Sequence, residues 1–292
     1  EFIIFDKAKG RRAYKDVRAQ LEGKQFDLAL CMHASMRANL LCHGIPAETR
    51  LGFDKARARD FQWLFTDQRV PAAPREHALE AMMSFATAAG AETRELRWDI
   101  PLSARAREFA SRFVDEQKPL VVISPCSSQR SRNYRNWSIA NFAATIQHLR
   151  DEYSCSVVLT GGTTPLEQQY GTALSTDGAG PALNLMGKTS LKELLALISA
   201  ADLVICPDSG PAHMATAVNT PVIGLYATSN PDRTGPYRSR DLTVNRYPDA
   251  VRKYLRRDVD ELRWGQRVRH PKAMDLVTIS DVSDKIEAFF AK

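Results

Sequence analysis

The 292 residues contain no run approaching the roughly 18 consecutive apolar residues that a membrane-spanning helix needs, so no such helix is expected. Glycine and proline, 15 residues each, are too few for a collagen-like or disordered chain. The five cysteines, Cys31, Cys42, Cys126, Cys155 and Cys206, show no C-x-x-C spacing. An odd, scattered set reads as reduced structural thiols in a cytosolic protein. No G-x-G-x-x-G follows any expected strand, which argues against a dinucleotide-dependent dehydrogenase. The opening EFIIFDKAKG has neither a basic n-region nor a small-residue cleavage site, so no secretory signal is expected. It also lacks an initiator Met and begins on an apolar run, as if cut from something longer.

What is present is ordinary globular usage, with 44% hydrophobic and 25% charged residues. The length suits two domains of about 100–200 residues. Forty Lys and Arg against 34 Asp and Glu leave a net charge of +6, which favours an anionic partner: a phosphorylated small molecule, an acidic membrane surface or nucleic acid.

Strand and helix patterns alternate along the chain. Phe2–Phe5 reads as a short buried strand, Arg11–Leu21 as a helix stopped by Gly23, and Phe26–Cys31 as a strand covered on both faces. His77–Ala89 has helical spacing with Gly90 as its stop. In the second half, Leu120–Ser124, Ser156–Thr160, Leu203–Cys206 and Val222–Tyr226 are apolar runs of strand length. Helical patterns lie between or after them at Ser138–Arg150, Leu166–Leu174, Ser190–Ala200 and Gly210–Val218. This alternation predicts an α/β domain with a parallel sheet. Ser138 is the expected N-cap of one helix, and Ser190 with Glu193 forms a capping pattern for another. The division into domains is expected at Arg112–Pro119, giving 1–115, 116–279 and a terminal helix at 280–292, capped by Ser280 or Asp281 and packing back on the first domain.

In an open parallel sheet, ligands bind beyond the carboxyl ends of the strands, so the loops that follow the strands carry the chemistry. Pro125–Trp137 is rich in hydroxyls and arginines, the groups that a phosphate or diphosphate requires. A solvated basic loop is the plainer reading. Gly161-Gly162 would let a ligand approach backbone, although a simple strand–helix turn accounts for it equally. Asp208-Ser209-Gly210 stands between a strand and a helix start, where an anion is favoured. Asp208 alone could be an N-cap, and a lone His is more often structural. His213, one turn into the same helix, makes the combination point to a ligand. The stretch Asp258–Met274 mixes arginines with Trp264. It reads as a basic face toward an anionic partner or lipid head groups, or as a bridge back to the first domain, rather than as a nucleic-acid surface.

The run Asp-Ser-Gly-Pro-Ala-His-Met-Ala215, with Asn219–Tyr226 and Ala227–Pro231, resembles glycosyltransferase family 9, the ADP-heptose:lipopolysaccharide heptosyltransferase group. Tyr134–Trp137, Gly161 through Glu167, Leu185–Leu191, Leu51–Arg57 and His77 also match, so the resemblance spans nearly the whole chain. It implies a GT-B architecture, an α/β fold of two Rossmann-like domains whose parallel sheets face across a cleft. It also implies an inverting transfer of heptose from ADP-heptose to the Kdo/heptose inner core, with no metal or other cofactor.

Carried over by position, Ser127 and Ser128 would bind the diphosphate, and Arg135, where the family often has Lys, would stabilise the ADP leaving group. Gly161, Gly162, Glu167 and Thr189 would lie on the nucleotide side, with Glu167 on the ribose. Asp208, Ser209, Gly210 and His213 would hold the sugar and diphosphate. Arg37 and the segment Arg50–Arg59, including Lys55 and Arg57, are candidates for the acidic Kdo sugars, with a solvated surface as the alternative. The expected partners are an ADP-sugar donor, a lipid A–Kdo type acceptor and the anionic cytoplasmic face of the inner membrane, in a cytoplasmic protein that takes no nucleic acid. One departure stands out. The family opens on a strand and a Ser-x-x-Gly-Asp segment whose Asp is the proposed general base, and neither occurs here. The first domain is therefore expected to lack its usual first β–α units. Two other readings stay open: a nucleotide-sugar-binding protein of this fold without the base, and a UDP-sugar epimerase on a GT-B-like scaffold.

Overall fold

The computed structural model describes residues 1–92, 95–127, 133–175 and 182–291. The chain forms two compact units, Glu1–Leu96 and Arg97–Lys292.

The first unit runs α1 (Arg12–Gln20), β1 (Phe26–Leu30), α2 (Met36–His43), β2 (Ala47–Gly52), β3 (Gln68–Arg69) and α3 (Ala78–Ala88). Its strands pair in parallel in the order β1-β2-β3. A small core of Leu51, Phe53, Ala58, Val70, Ala81 and Phe85 holds α3 on the sheet, with Phe53 edge-to-face on Phe85 at 4.9 Å. α3 starts where the sequence marks it. His77 is the N-cap, its Nδ1 accepting from Leu79 N at 3.1 Å, and Gly90 takes φ +96° just past the end.

Two expectations fail in this unit. Phe2–Phe5 is not a strand, and Phe2 and Ile4 are 97% and 82% exposed. Four residues without a ladder partner have nothing to hold their backbone groups extended. β1 is not covered on both faces either: Phe26, Leu28 and Leu30, which share a face by the two-residue period, are exposed while Ala29 is buried.

The second unit runs α4 (Ala104–Ser111), β4 (Leu120–Ile123), α5 (Ile139–Tyr153), β5 (Ser156–Leu159), α6 (Pro165–Ser175), β6 (Leu183–Asn184), α7 (Leu191–Ala200) and β7 (Leu203–Pro207). It continues through α8 (Gly210–Ala217), β8 (Val222–Tyr226), α9 (Pro231–Thr234), β9 (Val244–Asn245), α10 (Tyr247–Leu255) and α11 (Ile279–Phe290). All the described pairings in its six-stranded sheet are parallel, in the order β6-β5-β4-β7-β8-β9. The continuous apolar strands follow from burial on both faces. Val121 and Ile123 face one core with α5, α6, α10 and α11, whereas Leu120 and Val122 face a second with α4, α7 and α8.

This packing moves the expected division. α4 buries Ala106 and Ala110 in the second unit's core, so the boundary falls at Leu96/Arg97 and not near residue 115. α11 packs through Val282 and Ile286 into the core it shares with α5, where the sequence reading had it return to the first domain. Its N-cap is Thr278, two residues before the expected Ser280, because Thr278 and Asp281 form a reciprocal capping box. The Arg-rich stretch 258–274 also packs on its own unit. Leu262, Val268, Ala273 and Met274 enter the core, and Tyr247 and Tyr254 donate to Gln266 O and Lys272 O. Among the described residues no helix is long and apolar enough to cross a membrane.

Candidate active site

Because the strands are parallel, their carboxyl ends share one edge of the sheet. β4 lies between β5 and β7: the chain leaves β4 toward β5 and β6, then returns to start β7 on β4's other side. Such a reversal splays the two following loops apart and leaves a crevice at the strand ends. The loop after β4 carries Arg135 and the loop after β7 carries Asp208. These two residues meet there.

Arg135 Nη1 donates to Asp208 O at 2.9 Å and lies 3.3 Å from Asp208 Oδ2. The side chains are only 12% and 8% exposed, so the pair is held out of bulk water. Ser229, from the loop after β8, donates its hydroxyl to Asp208 Oδ2 at 2.8 Å. Asp208 is thus a pivot between three strand ends and is not the N-cap of α8. On the far side of the guanidinium, Nε donates to Asn133 Oδ1 at 3.0 Å.

The loop that carries Arg135 is pinned at its end. Trp137 is fully buried, donates from Nε1 to Val277 O at 2.9 Å, and accepts at its own carbonyl from Tyr170 Oη at 2.6 Å. Trp137 is therefore a core anchor, and the Arg two residues earlier inherits its position. Ser127 is buried, with its N–H and hydroxyl both donated to Asn136 Oδ1 at 2.9 and 3.1 Å. Ser128 lies outside the described residues.

Ser209 is the N-cap of α8, with Pro211 in the first turn, yet it makes no side-chain cap bond. Its hydroxyl is buried with no oxygen or nitrogen partner among the described residues. The first-turn N–H groups and the positive end of the helix dipole lie beside the Arg135–Asp208 pair. Gly210 and His213 are exposed on that turn. Cys206 lies beneath, and burial pushes its thiol up to about 12, which keeps it protonated and structural.

Glu167 closes the turn after β5. Its carboxylate accepts from Gly162 N at 2.7 Å, Thr164 N at 3.1 Å and Thr164 Oγ1 at 2.6 Å. Burial alone would raise its pKa, but these bonds outweigh burial and hold the carboxyl below the usual range. A Cβ on Gly162 would stand 2.8 Å from the carboxylate, so a larger residue there would push Glu167 off its bonds to the turn. The loops after β5 and β6 are joined by Gly187 N donating to Gly161 O at 2.9 Å, with Gly187 at φ +71°. Thr189, half-buried, follows at the start of α7. Gly161, Gly162, Thr189, Asp208, Ser209 and Arg135 thus occupy loops at one edge of one sheet, with Glu167 and Gly210 in the first turns of α6 and α8 and His213 one turn into α8.

In the first unit, the four basic candidates divide into two kinds. Arg50 donates to Cys42 O at 3.1 Å and Ile45 O at 2.9 Å and pairs with Asp67, tying down the end of α2. Arg57 pairs with Asp54 and Glu76 and donates to Pro71 O at 2.6 Å. These two guanidinium groups hold loops together and offer little free charge. Arg37 and Lys55 are exposed and keep theirs.

Asn133, Asn136 and Ser229 are functional candidates that motif reasoning passed over. Each sits inside a quoted run, but its role rests on hydrogen bonds that no spacing encodes.

The family model for glycosyltransferase family 9 (heptosyltransferase) matches residues 15–257. The lipopolysaccharide core heptosyltransferase OpsX of Haemophilus influenzae is 35% identical over 280 residues, 96% of this chain and 80% of that protein. Lipopolysaccharide heptosyltransferase 2 of Escherichia coli is 35% identical over 125 residues, 42% of this chain and 35% of that one. Among solved structures, a family 9 glycosyltransferase from Veillonella parvula has a TM-score of 0.75 at 19% identity, covering 99% of this chain and 82% of that one. The E. coli heptosyltransferase WaaC with ADP has a TM-score of 0.67 at 17% identity, covering 97% and 78%. The solved relatives give the fold, which is of the GT-B type. The family match, over most of the chain and across every loop of the switch-point site, establishes that the chain belongs to glycosyltransferase family 9, the heptosyltransferase family.

Proposed function

We propose that this chain transfers heptose from ADP-heptose to the Kdo/heptose inner core of lipopolysaccharide, with inversion and without a metal ion. The observation that carries the reading is Arg135, held by Asp208 at the switch point of the second sheet beside the start of α8. In this reading the acceptor hydroxyl oxygen attacks the anomeric carbon of the donor, and the bond from that carbon to the phosphate oxygen breaks. ADP leaves with the electron pair. Arg135 and the first-turn N–H groups of α8 stabilise the negative charge on the departing phosphate, supplying the positive field that a divalent cation supplies in other sites. His213 and Gly210 contact the sugar and diphosphate, and the Gly161–Glu167 and Thr189 loops take the nucleoside. The acceptor proton passes to a carboxylate base, in the family the Asp of a segment these 292 residues do not contain. Exposed Arg37 and Lys55 would meet the acidic sugars of the acceptor. Because that acceptor is a lipid, the reading places the chain in the cytoplasm, in peripheral contact with the inner membrane.

The test is ADP release from ADP-heptose with a Kdo-terminated lipid A acceptor. Arg135→Ala is expected to lower kcat by about 10²–10³, and His213→Ala to weaken donor binding. Turnover of a UDP-sugar without an acceptor would overturn the reading in favour of an epimerase.

A further inference from the structure

Arg135 has a donor edge with no partner among the described residues. Its Nε and backbone N–H both point at Asn133 Oδ1, at 3.0 and 3.3 Å. Its Nη1 is held by Asp208. No described residue accepts from Nη2. A guanidinium is planar, so fixing two of its nitrogens fixes the direction of the third.

Asn133 is itself oriented without ambiguity. A guanidinium only donates, so the amide oxygen must face Arg135, and the amide nitrogen then turns to Ser127. It donates to Ser127 Oγ at 2.7 Å and to Ser127 O at 3.4 Å. Ser127 Oγ donates its own hydrogen bond to Asn136 Oδ1, and the residue after Asn136 is the buried Trp137. A directed chain of hydrogen bonds therefore leads from the Trp137 anchor through Asn136, Ser127 and Asn133 to one edge of Arg135. With both its donors turned onto Asn136, Ser127 serves this scaffold and has no free donor for a ligand.

Building on the transferase reading above, we propose that Asn133 is a positioning residue: it locks the Arg135 guanidinium so that Nη2 is presented to the terminal phosphate of the nucleoside diphosphate. Asn133 acts through Arg135 and touches no substrate. Without it, Arg135 keeps its Asp208 contact but swings about that hinge, so the charge is present and misdirected. Phosphate recognition suffers and nucleoside recognition does not.

The experiment is calorimetric titration of the whole chain with ADP and, as a phosphate-free control, with adenosine. It compares wild type, Asn133→Ala, Arg135→Ala and the double variant. Asn133→Ala is expected to weaken ADP about tenfold, the scale of one charge-assisted hydrogen bond, and to leave adenosine unchanged. The double variant is expected to bind ADP no worse than Arg135→Ala alone, because the two residues act as one unit. Additive losses, or an equal loss of adenosine, would show that Asn133 merely holds the loop together and would overturn the proposal. A wild type that binds UDP and not ADP would instead overturn the donor assignment, and the same cycle run with UDP would still decide the role of Asn133.

Discussion

A carboxylate beyond the end of a parallel strand is easily taken for a ligand contact, and Glu167 shows how far its own chain can occupy it. Its two oxygens take the N–H groups of Gly162 and Thr164, together with the Thr164 hydroxyl. Those bonds favour the charged form strongly enough to hold the carboxyl below its ordinary range despite partial burial. A carboxyl depressed in the folded state contributes stability above its unfolded pKa, and that contribution disappears as pH falls through the folded value. Glu167→Gln is therefore expected to melt lower than wild type near neutral pH, by an amount equivalent to about 1 kcal/mol, and to converge with wild type in acid. Thermal melts of both proteins between pH 7 and 3 check this. A gap that stays constant across the range would mean the charge contributes nothing to the turn.

At the scale of elements, Thr278 and Ser280 make a direct comparison. The sequence points to Ser280 as the start of the last helix, but it is Thr278 that accepts from the N–H three residues on while Asp281 reaches back to it. Thr278→Ala should cost about 1 kcal/mol and Ser280→Ala less than about 0.5 kcal/mol, read as changes in denaturant midpoint. Equal losses would remove the capping box as the reason the helix starts where it does. The same contrast explains what was legible. β4, β5, β7 and β8 were readable because burial on both faces demands unbroken apolar runs. β6 and β9 have two residues each, and β2 is interrupted by Glu48, Thr49 and Arg50, so none of them carries a period. The placement of Arg135, Asp208 and His213 beyond the strand ends was readable because parallel topology puts the residues after strands at one edge of the sheet. Asn133 and Ser229 were not, because an amide or hydroxyl that orients a neighbour leaves no pattern in the chain. Arg50 and Arg57 show the converse: charge is visible in a sequence, and the carbonyls and carboxylates that engage it are not.

For the whole molecule, the distribution of buried surface decides which part can stand alone. Two extensive cores, one on each face of the six-stranded sheet, are built entirely from residues after Leu96, whereas the described residues of the first unit form one small cluster. Every donor-side candidate described in the structure also lies after Leu96, and α4, which precedes β4, is part of the second core. A fragment beginning at Arg97 keeps α4, while one beginning at 116, where the sequence alone would cut, discards it and exposes the apolar face that Ala106 and Ala110 cover on α7. Residues 97–292 are therefore expected to melt cooperatively and to bind ADP within about threefold of the full chain, which corresponds to under about 1 kcal/mol. Residues 116–292 should melt at least several degrees lower, as loss of packing worth 1–2 kcal/mol does in a domain of roughly this size. Circular dichroism melts and ADP titration of the two fragments side by side decide the matter. A longer fragment that fails to fold would show that the second unit depends on the first, and equal stability of the two would return the boundary to residue 116.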